Sequence, residues 1–240
     1  MPSSWCSPDV SGVAPGGVAV LFDLDGTLTD PFAGITRSIG HALGRLGRVA
    51  PAAQDLRWCI GPPLKTSFAQ LLETDDPALL DAAVAYYRER YAAVGKFENT
   101  LIEGIPAALS ELRGSGASLF VATSKMQAYA VEIVEHFGLT PYFEAVHGSE
   151  PDGRRSAKSE LIGHILETEG IEPRSAVMVG DRSHDVVGAA AHGIPTVGVA
   201  WGYGAPGELE AAGVASIAQL PSQVPGLIVS AHQVVNSILP

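Results

Sequence analysis

Two carboxylates one residue apart, Asp23 and Asp25, close the apolar run at 18–22 and open the stretch Asp23-Leu24-Asp25-Gly26-Thr27-Leu28-Thr29-Asp30. Side chains at i and i+2 leave a strand end on one side, and Gly26 permits a turn that gathers backbone N–H groups toward one point. That arrangement suits a divalent cation together with an anion, although an ordinary Asp-Gly turn uses the same residues. Three other segments offer matching chemistry. Thr123-Ser124-Lys125 brings a hydroxyl and N–H groups that can hold phosphoryl oxygens, although such a segment after a strand is more often a helix N-cap. Gly180-Asp181-Arg182-Ser183-His184-Asp185 places two acids one helical turn apart. There, acids favour the helix dipole, and a carboxylate at a strand tip is also a natural magnesium ligand. Lys158 stands alone in Arg154-Arg155-Ser156-Ala157-Lys158, in a chain whose lysines are Lys65, Lys96, Lys125 and Lys158. It reads as a point cation for an anion, with a solvated surface lysine as the plainer alternative.

These segments need a scaffold that brings them together. Continuous apolar runs at 18–22, 118–122, 143–146, 176–179 and 196–199 fit strands buried on both faces of a parallel sheet. Helical patterns near 105–114, 126–137, 157–169 and 183–192 alternate with them as in βαβ crossovers. The expected fold class is therefore α/β, a doubly wound parallel sheet. About 95 residues separate the first two strands, more than a crossover needs, and they read as helices near 34–47, 52–59, 64–73 and 77–94. This is expected to be a helical cap over 31–103, set above the carboxyl edge of a core formed by 18–30 and 104–240, with connections near Pro31 and Glu103-Gly104 as hinges.

Composition removes whole classes of function. The 240 residues carry 15 Lys+Arg against 26 Asp+Glu, a formal net charge of −11, so a nucleic-acid backbone would be repelled. With 46% hydrophobic residues, mean hydropathy +0.20 and no apolar run of membrane-spanning length, the chain reads as globular, with no membrane partner. Residues 1–17 mix Pro, Ser and Gly and read as a flexible leader without a signal-peptide pattern, which points to the cytoplasm. Cys6 and Cys59 read as free thiols.

Taken jointly and in this order, DLDGTLTD, Thr123 after an apolar strand, Lys158 and GDRSHD resemble the haloacid dehalogenase superfamily of aspartate-nucleophile phosphotransferases over about residues 18–235. Ile60-Gly61-Pro62-Pro63-Leu64, VATSK and Trp201-Gly202-Tyr203-Gly204 look like its phosphoglycolate phosphatase-like or 5′-nucleotidase-like branch. The resemblance implies a Rossmann-like core with an α-helical cap and a Mg²⁺-dependent phosphomonoester hydrolase acting on a small phosphorylated substrate. By the same resemblance Asp23 is the nucleophile and Asp25 the acid and base. Mg²⁺ is held by Asp23, the Asp25 carbonyl oxygen and Asp181. Thr123, Ser124, Lys158 and the turn at Gly26 hold the phosphate, and Asp185 orients Lys158 or a metal-bound water. Transfer to an acceptor other than water, as in a phosphomutase or protein-tyrosine phosphotransferase, is the alternative activity, and a silent binding module the alternative class. Arg37, Arg57, Lys65 and the 60–64 loop are candidate specificity residues, with solvated side chains and a helix stop at Gly61-Pro62-Pro63 as the plainer alternatives, and Trp201 and Tyr203 either line the mouth or pack under a loop. His147, His184 and His192 are expected to be structural.

Overall fold

The computed structural model describes residues 17–238, with the side chains of 235–238 left aside. Cys6 and all but the last residue of the expected leader lie outside the described residues. The elements, in order, are β1 (Ala19–Phe22), β2 (Thr29–Asp30), α1 (Phe32–Arg45), a 3-10 segment Ala53–Cys59, α2 (Leu64–Leu72), α3 (Pro77–Ala93) and β3 (Thr100–Leu101). Then follow α4 (Ile105–Gly114), β4 (Ser118–Met126), α5 (Gln127–His136), β5 (Ala145–Ser149), α6 (Lys158–Glu169) and β6 (Ala176–Gly180). The last are α7 (Ser183–Ala190), β7 (Thr196–Val199), α8 (Glu208–Ala211), β8 (Ser216–Ala218) and α9 (Val224–Ile238).

A six-stranded sheet runs β5-β4-β1-β6-β7-β8, every neighbouring pair parallel. The central strand shows why its sequence is apolar without alternation. Val20 and Phe22 face one cluster, with Leu109 of α4, Ile133 of α5 and Ile228 of α9. Ala19 and Leu21 face another, with Leu161 and Ile165 of α6 and Ala189 of α7. Both faces are covered, so both sets of side chains must be apolar. The chain moves outward from β1 through β4 to β5, then returns to β1's other flank at β6 and continues to β7 and β8. The strand order thus reverses around β1, and the crevice outside its carboxyl end is where such sheets bind ligands.

The insert between β1 and β4 has its own apolar cluster. Ile35, Ile39, Ala42 and Leu43 of α1 recur at helical spacing and pack with Leu56, Phe68, Val84, Tyr87 and Tyr91. Pro77 in the first turn of α3 and Asp76, whose carboxylate accepts from the Ala78 N–H at 3.0 Å, start the helix that carries Tyr87 and Tyr91. Entry to and exit from the insert form an antiparallel ribbon, with Thr29 opposite Leu101 and Asp30 opposite Thr100.

The structure departs from the sequence expectation in several elements. The segment near 52–59 is 3-10 rather than α, β4 runs on past Ala122 to Met126 across a register shift, and β8 extends the sheet by a sixth strand. Ser216-Ile217-Ala218 is too short to show a period of its own, and the ribbon strands hold two residues each. Among the described residues, no helix is long and apolar enough to cross a membrane.

Candidate active site

At the carboxyl end of β1, the Asp23 N–H still donates to the Val179 carbonyl at 2.9 Å, which seats Asp23 between the central strands. The chain then folds back on Leu24, whose carbonyl accepts from the Leu28 and Thr29 N–H groups, both at 3.0 Å. Gly26 makes that turn with φ +86°, and a Cβ there would overlap the Asp181 carboxylate. Its N–H is spent on the Thr29 carbonyl at 2.7 Å. In this arrangement Gly26 shapes the loop and clears space for Asp181.

Lys158 is the first residue of α6 and is buried. Its ammonium lies 2.7 Å from Oδ1 of Asp23, 2.7 Å from Oδ1 of Asp185 and 2.6 Å from the Ala122 carbonyl. Burial works against its charge, but Asp185 and Asp23 outweigh it and raise its pKa above that of a free lysine. Asp23, Asp181 and Asp185, all buried, each offer a carboxylate oxygen within 4.8 Å of the others. Burial, then Asp23 and Asp185, push Asp181 well above the usual carboxylate range. Burial also pushes Asp185 up to about 6, against the pull of Lys158. Asp181 is held by the Tyr203 N–H at 2.7 Å and the Thr27 hydroxyl at 3.3 Å. Asp185 accepts from the Arg182 N–H at 3.1 Å, so it caps α7 and faces Lys158 at once.

Asp25 lies on the other flank. Its Oδ2 is 2.6 Å from the ammonium of Lys125, while Oδ1 is buried without a hydrogen-bond partner among the described residues. Burial raises its pKa despite Lys125. Thr123 and Ser124 line the same cavity, and Thr123 Oγ1 accepts from the Lys125 N–H at 3.3 Å. The helix-cap alternative for this pair does not apply, because α5 is preceded by Met126 without a side-chain cap.

The cavity, about 610 Å³, lies between the sheet edge and the helical insert. From the insert it is lined by Gly61-Pro62-Pro63, Lys65, Tyr87 and Tyr91, and from α5 by Tyr129. Tyr87 and Tyr91 stack at 5.1 Å between centroids, and Tyr129 meets Tyr91 edge-on at 5.5 Å. Lys65 lines the cavity and pairs with Asp81 at 2.5 Å. Arg37 does not line it: it is exposed and pairs with Glu98 at 2.7 Å. Arg57 stacks over the Tyr203 ring at 4.7 Å. Trp201 and Tyr203 brace the loops after β1 and β6 from outside the cavity, with Trp201 Nε1 donating to the Thr27 carbonyl at 3.2 Å. His147 pairs with Glu169 at 2.8 Å and His192 with the Ser159 carbonyl at 2.7 Å. Burial and Arg182 hold His184 below its usual pKa.

Sequence reasoning missed Lys125 as the partner of Asp25 and Tyr91 as the partner of Lys125. The scarcity of lysine was the available signal for the first. The second depends on how α3 docks over the sheet.

The family model described as haloacid dehalogenase-like hydrolase matches residues 20–199. A 5′-nucleotidase of Pseudomonas aeruginosa is 47% identical over 80% of this chain and 86% of its own length. The tyrosine-protein kinase PtkA of Mycobacterium tuberculosis is 44% identical over 77% of this chain, which spans 62% of that longer protein. The crystal structure of a predicted phosphatase from Clostridium acetobutylicum superposes with a TM-score of 0.86 at 40% identity, over 89% of this chain and 99% of that one.

Proposed function

Because the chain belongs to the haloacid dehalogenase-like hydrolases and is one of their phosphatases, we propose that Asp23 is the nucleophile of a Mg²⁺-dependent phosphomonoesterase acting on nucleoside 5′-monophosphates. The observation that carries this reading is the ion pair of Asp23 with buried Lys158, beside a second acid, Asp25, whose pKa burial holds high. In the first half-reaction a carboxylate oxygen of Asp23 bonds to phosphorus as the bond from phosphorus to the leaving oxygen breaks. The Asp25 proton goes to that oxygen, which departs as an alcohol. In the second, Asp25 takes a proton from water, whose oxygen attacks the aspartyl-phosphate. Inorganic phosphate leaves, the Asp23 carboxylate returns, and Asp25 is again protonated.

The donor set fits a hard divalent ion, since three buried carboxylates this close carry more negative charge than the single Lys158 ammonium offsets. Asp23, Asp181 and the Asp25 carbonyl oxygen would hold Mg²⁺, with Asp185 beside them. An ion held there would supply positive charge against the phosphate oxygens. Lys158 adds a fixed positive charge at the nucleophile, and Thr123 and Ser124 offer donors to the remaining oxygens.

The substrate reading rests on the 5′-nucleotidase relative and on a cavity lined by Tyr87, Tyr91 and Tyr129, which offers aromatic faces to a base. Residues 31–103 serve as the cap, moving over the core of 18–30 and 104–240 about the segments near Pro31 and Glu103-Gly104. Phosphate release from nucleoside monophosphates, phosphoglycolate and sugar phosphates, with and without Mg²⁺, tests the assignment. Turnover should be highest with a nucleotide and abolished in Asp23→Asn. A pure Asp23→Asn protein that turns over normally would refute the nucleophile, and preference for phosphoglycolate would refute the substrate. A second reading, passage of the phosphoryl group from Asp23 to a protein tyrosine, draws on the PtkA relative. Incubation with γ-labelled ATP separates the two: label on tyrosine supports transfer, and free phosphate alone supports hydrolysis.

A further inference from the structure

The chain places a lysine between the second acid and the insert. The ammonium of Lys125, side chain 7% exposed, lies 2.6 Å from Asp25 Oδ2 and donates to the Tyr91 hydroxyl, also at 2.6 Å. It stands 4.7 Å from the centroid of the same ring. Asp25 and Lys125 belong to the sheet edge, whereas Tyr91 belongs to α3 of the insert. Tyr91 is itself fixed, 1% exposed and packed between the rings of Tyr87 and Tyr129. One oxygen of Asp25 is thus tied through Lys125 to the insert, and the other, Oδ1, has no hydrogen-bond partner among the described residues, in a side chain that lines the cavity.

We infer that Lys125 and Tyr91 are positioning residues for leaving-group departure, holding Asp25 through Oδ2 so that Oδ1 is the oxygen that serves the leaving alcohol. The inference rests on the reading of Asp25 as the proton donor. A carboxyl group rotates freely about its last torsion, and a proton donor works only within hydrogen-bond reach of its target. A charge-assisted contact to a buried ammonium removes that freedom. The ammonium in turn has a fixed place only while the Tyr91 hydroxyl and ring are beside it. Alignment of Asp25 is therefore complete when α3 sits over the sheet edge, and incomplete when it does not. The hydroxyl of one tyrosine in the insert tunes a step performed by an acid on the first loop of the core. The cost of losing it falls on substrates whose leaving group needs a proton.

Leaving-group dependence tests this. The variants Tyr91→Phe, which removes one oxygen, Lys125→Met and Lys125→Arg are compared with wild type on an alkyl phosphate, glycerol 3-phosphate, and on 2,4-dinitrophenyl phosphate, whose phenolate departs without protonation. The quantity read is kcat/KM, which for this two-step scheme ends at departure of the leaving group. The ratio of alkyl to aryl kcat/KM should fall at least tenfold in Tyr91→Phe and further in Lys125→Met, with partial recovery in Lys125→Arg. Equal losses on both substrates, or no loss on either, would overturn the inference, because a general loosening of the cavity does not sort substrates by leaving group. Asp25→Asn is the control. If it shows the selective loss and the other variants do not, only the positioning roles fail. If it shows none, the donor assignment of Asp25 fails and the inference falls with it.

Discussion

The ammonium of Lys158 sits 2.7 Å from Oδ1 of Asp23, a partner 135 positions earlier in the chain. Two crossovers and the whole insert separate them in sequence, and the sheet brings them together because β1 and the start of α6 open on the same edge. Removing the cation leaves Asp23 and Asp185 buried without it. Lys158→Met should therefore destabilise the metal-free protein by about 3–5 kcal/mol, the usual consequence of breaking a buried ion pair, and abolish turnover. Urea unfolding checks the first and phosphate release the second. A melt unchanged from wild type would show that the pair does not carry stability.

Divalent ion binding should raise the thermal midpoint, since an ion that binds only the folded acids stabilises by about 2.7 kcal/mol at 100 times its dissociation constant. The Asp181→Asn protein should lose most of this Mg²⁺ response. Differential scanning calorimetry with Mg²⁺ and with chelator reads it directly, and an equal response in wild type and variant would remove Asp181 from the ion's surroundings.

Gly26→Ala should fail in two ways. The left-handed φ costs about 1 kcal/mol with a side chain, and the new methyl meets Asp181. A fall in unfolding free energy of ~1–2 kcal/mol together with a weakened Mg²⁺ response is expected, by urea melts and ion titration. A normal Mg²⁺ response would mean that Asp181 moves aside without consequence.

Glu208 ties the loop behind Asp181 to the start of α7. It accepts from the Ser183 N–H at 2.8 Å, the Ala205 N–H at 2.8 Å and Arg182 Nε at 2.9 Å. Burial pushes its pKa up, but these donors outweigh it and hold the carboxyl down at about 2. The folded pKa lies below the unfolded one, so the carboxylate's contribution is fully present above the ordinary glutamate value of ~4.3 and is lost as pH falls from there to about 2. Glu208→Gln should cost about 2 kcal/mol at neutral pH, in line with hydrogen bonds to a charged group, and should flatten the stability profile between those pH values. Denaturant melts across that range decide it. A wild-type slope in the variant would assign the acid sensitivity elsewhere.

The acids and Lys158 were legible in the sequence for a physical reason. Each follows an apolar run or opens a helix, and in a parallel sheet every such junction after a strand falls on one edge. Asp23, Asp181 and the 123–125 segment could thus be placed together without a tertiary contact being known. What the sequence did not disclose are contacts made by docking. Tyr91 lies in a segment that reads only as helix; it packs in the insert's apolar cluster, yet its hydroxyl reaches a lysine of the sheet edge. Arg37 has the composition of a substrate contact, but Glu98 holds it on the outside of the insert. The sixth strand and the ribbon are too short to carry a period.

The ribbon of Thr29-Asp30 with Thr100-Leu101 makes the two crossings between insert and sheet immediate neighbours. From the standpoint of the sheet, the seventy or so residues between them form a closed excursion that departs and lands at a single point. Such an excursion can lengthen, shrink or be exchanged for a different one while the registers of β1, β4 and β6 stay as they are. An exchanged excursion would keep those registers yet forfeit the Tyr91 hydroxyl beside Lys125, so a newcomer has to bring its own partner for that ammonium.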